Sequence, residues 1–262
     1  MTASSRIDAL TTATPPATEL LTARIEAAST GFEAARDCMV DSQVRPNKVN
    51  DPRILGAMRR IPREDFLPAD LAARAYSDDD VPLGGSIAGA GGRYLTSPMV
   101  IARLVQLARV QPGERVLVVA AGPGYGAALI AACGGVVFAL EDNPALAALA
   151  TRALAASFGA VVVTGPLAEG WPGAAPYDLI LIEGAVREIP AAIAAQLHPQ
   201  TGRLVSVHQL GGPALPNNGA SRHGVGQAIL AERTAAGLRM RPAFDCAAPL
   251  IAALLPPPTF VF

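Results

Sequence analysis

Five short apolar runs, separated by stretches of helical length, constrain the fold of this chain more than any other feature. They read VLVVA (116–120), VVFALE (136–141), AVVVT (160–164), DLILIE (178–183) and RLVSVH (203–208). Each is strand-length and rich in β-branched residues, and the first four are apolar through their middles rather than at alternate positions. Continuous apolar content marks strands covered on both faces, the condition of a parallel sheet. Helical segments fall between the runs: AALIAAC, the stretch after Asn143-Pro144, and IPAAIAAQL. The rhythm predicts a doubly wound, Rossmann-like α/β sheet, mostly parallel. Two later segments, GVGQAILAERT and FDCAAPLIAALLPPPTFVF, are expected to close it with antiparallel strands in an order left open.

Ahead of the sheet, residues 1–30 are rich in Ala, Thr and Ser and carry Pro15-Pro16. They read as a flexible extension with one helix over 19–28. Helical material follows over 34–60, broken at 46–51, with Asp51 as N-cap and Pro52 in the first helical position. Residues 77–93 form a polar, then Gly-rich loop. Pro98 opens a helix whose apolar face holds Met99, Ile101, Leu104, Val105 and Leu107, with Pro112-Gly113 as its stop. The expected organisation is one domain over 31–262, with a helical cap at 31–95.

Composition excludes several functions. The formal net charge is −1 and there is no Lys/Arg run, which argues against a partner held through nucleic-acid phosphates. Cys38, Cys133 and Cys246 are far apart and read as small buried hydrophobes in a reducing compartment. No metal-ligand spacing is present. The longest uncharged apolar stretch, 127–140, is interrupted by Gly134-Gly135 and is too short to span a bilayer. No leader pattern opens the chain. The expected location is therefore the cytoplasm.

The first apolar run leads straight into Ala120-Ala121-Gly122-Pro123-Gly124 and a helix. A glycine turn in that place lets a nucleotide approach the backbone beyond the strand ends. It also occurs where strand and helix merely pack tightly. Glu141 ends the next run, about twenty residues on, where a carboxylate accepts hydrogen bonds from ribose hydroxyls. Asp78-Asp79-Asp80 reads as a solvated loop or cap rather than a cation site. Tyr125 and Trp171 read as packing residues, and His208 as a polar strand end.

Further stretches give these pieces a relative. VNDPRILGAMRRIPREDFLP, AYSDDDVPLG, TSPMVIARLVQL, the Gly-x-Gly turn, EGWPGAAPYDLILIEGAVREIP and QLHPQTGRLVSV follow one another from Met39 to Val207. In order and spacing they resemble the protein-L-isoaspartate (D-aspartate) O-methyltransferases. The resemblance implies a class I methyltransferase sheet and S-adenosylmethionine as cofactor. The implied reaction is methyl transfer to the carboxylate of isoaspartyl residues in damaged proteins or peptides. Ala120, Gly122 and Gly124 would then lie under the methionine part of the cofactor. Glu141 would hold the ribose, and Leu167 would flank the adenine. Thr96 stands where the family has its active-site serine and keeps the hydroxyl.

The chain also departs from the family. Val118 replaces an acidic residue of the first strand, and Ala120 replaces the first loop glycine. Pro123 is a further change. Gly165-Pro166-Leu167 replaces a Gly-Asp-Gly stretch, and EGAVREIP stands where the family has small uncharged residues. Glu183, in that last stretch, or a loop carboxylate is the candidate to compensate for the lost polar anchors. These changes leave two alternatives: a methyltransferase for another carboxylate or a small molecule, and a non-catalytic binding protein of the same fold.

Overall fold

The computed structural model describes residues 30–155, 159–209 and 225–255. The expected helix at 19–28 and the proline-containing loop after His208 lie largely or wholly outside them. The first described helix, α1, covers 30–39 and widens into a π-turn at Val40–Val44. Helix α2 (Pro52–Arg60) starts as the sequence indicates, with the Asp51 side chain accepting from the Arg53 amide at 2.9 Å. The Gly-rich loop is more ordered than expected. Its flanks pair as β1 (Val81–Pro82) and β2 (Tyr94–Leu95), which closes the loop at its base.

Helix α3 (Pro98–Ala108) ends earlier than its proline-glycine stop, because Arg109 turns left-handed at φ 51°. Arg203 holds that end in place. Its guanidinium donates to the Ala108 and Arg109 carbonyls at 2.7 and 3.1 Å and grips Glu114 with both terminal nitrogens.

The sheet contains β3 (Arg115–Val119), β4 (Val136–Glu141), β5 (Val161–Thr164), β6 (Leu179–Val186), β7 (Arg203–Gln209), β8 (Val225–Thr234) and β9 (Gly237–Ala247). Their spatial order is β5-β4-β3-β6-β7-β8-β9, parallel through β7 and antiparallel at β8 and β9. The expected architecture is borne out. Helices α4 (Tyr125–Ala132), α5 (Pro144–Ala155) and α6 (Ala191–Ala195) lie between the parallel strands in sequence.

Strand β3 shows why its run is apolar throughout. Val116 and Val118 belong to one buried cluster, with Ile101, Leu104 and Ile130; Leu117 and Val119 belong to the other, with Tyr177, Ile193 and Leu204. Successive side chains face opposite sides, and both sides are dry. Because β4 and β6 flank β3 on either hand, the turn after β3 sits at the switch point of the topology, where such sheets bind ligands. Leu117→Ala removes a fully buried side chain from the middle of this frame and should cost about 2–5 kcal/mol in urea unfolding. A loss below about 1 kcal/mol would show that the central strand is not tightly packed.

Candidate active site

The turn after β3 has the shape expected of a glycine turn, though it opens with alanine. Ala120 adopts φ 58°, a left-handed conformation that strains a residue bearing a Cβ. Gly122 and Gly124 follow at φ 57° and 97°. The two glycines differ in purpose. A methyl on Gly124 would press on Leu154 at 3.0 Å and Ala150 at 3.3 Å, so Gly124 seats the turn against α5. Gly122 is uncrowded, its nearest neighbour being the Tyr94 carbonyl at 3.9 Å. Close packing and a positive φ both call for glycine at 124, whereas at 122 only the positive φ does.

Glu141 ends β4 beside this turn, as expected, and its Oε2 accepts from the Gly122 amide at 2.8 Å. Its remaining partners were not legible in the sequence. Arg93 reaches over from the Gly-rich loop and donates to Oε1 at 2.7 Å and Oε2 at 2.5 Å. The Asn143 amide adds a bond to Oε1 at 3.0 Å. Glu141 is wholly buried, and in this structure Arg93 covers its carboxylate. Burial pushes its pKa upward, against the pull of Arg93. The signal for Arg93 was a single cation directly after the GAGG run, and only the fold brings it to β4.

Thr96 and Glu183 meet on the other side of the turn. Thr96 is almost fully buried and lines the same small cavity as Glu183. The Glu183 side chain lies against Gly126, where a methyl would overlap its carboxyl group. Its Oε2 is buried without a hydrogen-bond partner. Burial raises the Glu183 pKa to about 8, with Arg63 opposing that rise. Arg63 is itself fully buried, donating to the Ala75 and Thr96 carbonyls at 2.7 and 2.5 Å. Its guanidinium stacks on the Tyr125 ring at 4.7 Å. Tyr125 is a packing residue, edge-on to Phe66.

Leu167 follows β5 and is buried, but under the chain's own cover. The segment after β9 turns back across the end of β6, where the Ala185 amide donates to Pro249 O at 2.7 Å and Ile251 N donates to Ala185 O at 3.0 Å. Ile251 and Leu254 then join Leu167, Ala120 and Ile182 in one apolar cluster. Among Arg93, Thr96, Ala120, Glu183 and Ile251 only about 10 Å³ stays open. A larger cleft of about 310 Å³ lies just outside, between the Gly89–Arg93 loop, Asp142 to Pro144, and Ile251 to Ala253.

The remaining expectations divide. Asp80 caps the start of α3 by accepting from the Ser97 amide at 2.7 Å. His208 bonds the Arg187 carbonyl, and Trp171 packs beside Gly165 and Gly173. Cys133 is buried and Cys246 partly so, but Cys38 is exposed, contrary to the reading of all three as buried. Among the described residues no group of His, Cys, Asp and Glu is placed to hold a metal, and no helix is long and apolar enough to cross a membrane.

The raised pKa of Glu183 has a consequence for stability. An unfolded glutamate ionises near pH 4.3, whereas folded Glu183 keeps its proton to about pH 8. Between those values the folded state holds the extra proton, so stability falls as pH rises and levels off above about 8. Glu183→Gln should abolish that decline in urea unfolding measured from pH 5 to 9. A slope unchanged by the substitution would place the titration elsewhere.

The site can be set beside known proteins. Residues 35–211 match the family described as Protein-L-isoaspartate(D-aspartate) O-methyltransferase (PCMT). The Protein-L-isoaspartate O-methyltransferase of Methylorubrum populi is 41% identical over 174 residues, which is 66% of this chain and 79% of that one. A solved protein-L-isoaspartate O-methyltransferase superposes with a TM-score of 0.62 at 23% identity, covering 78% of this chain and 62% of its own length. A second structure, a putative protein-L-isoaspartate O-methyltransferase from Plasmodium falciparum in complex with S-adenosyl-L-homocysteine, superposes with a TM-score of 0.61 at 14% identity, covering 83% and 98%. These two structural likenesses bear on the fold; the sequence matches bear on kinship. With its matched span, its shared fold and its turn at the switch point, the chain belongs to the protein-L-isoaspartate (D-aspartate) O-methyltransferase family.

Proposed function

We propose that this chain transfers the methyl group of S-adenosylmethionine to the carboxylate of isoaspartyl residues in damaged proteins or peptides, working in the cytoplasm. The observation that carries this reading is the shared position of three groups in a chain of this family. The Gly122 amide, the Glu141 carboxylate and the Thr96 hydroxyl all gather at the carboxyl ends of β3, β4 and β6.

The donor set suits the cofactor's chemistry. Glu141 supplies paired acceptor oxygens for a ribose diol. Glu183 Oε2, buried and without a partner, supplies an acceptor for the α-ammonium group, in place of the acidic residue missing at Val118. Gly122 leaves space beside the backbone, and Leu167 offers an apolar wall to the base. Ala120 and Gly124 shape the turn. When bound, the cofactor supplies an electrophilic methyl on a positively charged sulfonium.

The acceptor asks little of the protein. A carboxylate with a pKa of about 4 is ionised at neutral pH, so no general base is needed. The chain's part is to align the acceptor and exclude water. Thr96 orients the acceptor through its hydroxyl.

Two peptides differing only in an isoaspartyl or an aspartyl linkage test the reading. Incubated with radiolabelled S-adenosylmethionine, the isoaspartyl peptide should gain a base-labile methyl ester and its twin should not. Equal labelling, or none, would refute the assignment. Thr96→Val should lower kcat by about tenfold or more, the worth of one hydrogen bond to a charged group, with little change in cofactor affinity. Glu141→Ala should weaken binding of S-adenosylhomocysteine by about tenfold or more on the same ground. If Thr96→Val instead abolished cofactor binding alone, the acceptor would sit elsewhere.

A further inference from the structure

We infer that Arg93 and the segment 249–254 form a latch which occupies the cofactor seat from within, and which must open before an adenosyl group can bind. The inference rests on the cofactor reading above and adds to it a conformational step particular to this chain.

Accounting for the Glu141 lone pairs gives the first reason. A carboxylate offers about four acceptor positions. Arg93 takes two, the Gly122 amide a third and the Asn143 amide the fourth. The two amides belong to the backbone frame of the turn and of the α5 start, so only Arg93 can make way for a ribose diol. A second resting place lies beside it. Arg93 Nη1 already donates to Asp142 at 2.9 Å, and Asp142 is more exposed than Glu141. Arg93 can therefore release Glu141 while keeping a carboxylate partner.

Space gives the second reason. The residual volume between Thr96, Ala120, Glu183 and Ile251 barely admits one water. Ile251 causes much of the closure: it lies so near Gly184 that a methyl there would come within 2.7 Å of its Cγ1. Leu254 shares an apolar cluster with Leu167, the residue proposed to flank the adenine. The segment is fastened to the end of β6 by two backbone hydrogen bonds, both to Ala185, and by the apolar packing of Ile251 and Leu254. It also lies beyond residues 35–211, the span that matches the family. The cleft outside Arg93 is bordered by the loop, by Asp142 and by the same segment, so a ligand can approach while the latch is shut.

Binding to a state populated only in part is weakened by that fraction. Arg93→Ala should thus bind S-adenosylhomocysteine at least tenfold more tightly than the unaltered full chain in calorimetry. Since losing Arg93 strips a buried carboxylate of its cation and can lower the folded population, a second measurement uses the unaltered chain. Saturating S-adenosylhomocysteine should speed hydrogen exchange at the Ile251 amide and its neighbours while slowing it at the turn after β3. Equal or weaker binding by a folded Arg93→Ala chain overturns the latch alone. So does unchanged or slowed exchange over 249–254 at saturation. Failure of both chains to bind at millimolar concentration overturns the cofactor reading, and the latch with it.

Discussion

The site is organised around one buried carboxylate. Glu141 has no exposed surface, and an ionised carboxylate so placed is tolerated only when its oxygens are matched by donors. Three separate parts of the chain meet that demand: the turn after β3, the start of α5 and the end of the Gly-rich loop. The interaction therefore does more than bind. It fixes the turn against β4 and draws the loop at 83–93 down over the strand ends, where a ligand would lie.

A second buried pair shapes the other half of the cleft. Arg63 and Glu183 each lack one hydrogen bond, at Nη1 and Oε2 respectively, although both are buried. Such groups are costly, and stability alone does not explain them. They become intelligible as parts of a site whose polar demand is completed by a substrate or cofactor. Thr96 stands beside both: its carbonyl takes the Arg63 guanidinium, and it lines one small cavity with Glu183. Arg63 itself is placed by the short turn at Arg63–Phe66.

Most of the architecture was legible because it rests on local signals. Apolar runs as uniform as 116–120 announce a strand buried on both faces, and Asp51-Pro52 announces a helix start. The glycine turn and Glu141 were legible too, since each stands at a strand end. Their partners were not. Nothing in the residues around Arg93 or Ile251 marks them for β4 or β6, because those contacts depend on how distant segments cross. Helix α3 illustrates the same limit, ending at Arg109 under the hold of Arg203, a residue 94 positions away. The exposure of Cys38 was missed because cysteine's usual burial outweighed the polar neighbours of that particular helix face.

The most direct test of this account is a crystal structure of the chain grown with S-adenosylhomocysteine. In the complex both oxygens of Glu141 should meet the ribose hydroxyls, with Arg93 turned to Asp142 and Ile251 lifted from Gly184. Arg93 still clasping Glu141, with the ligand bound elsewhere on the surface, would contradict it.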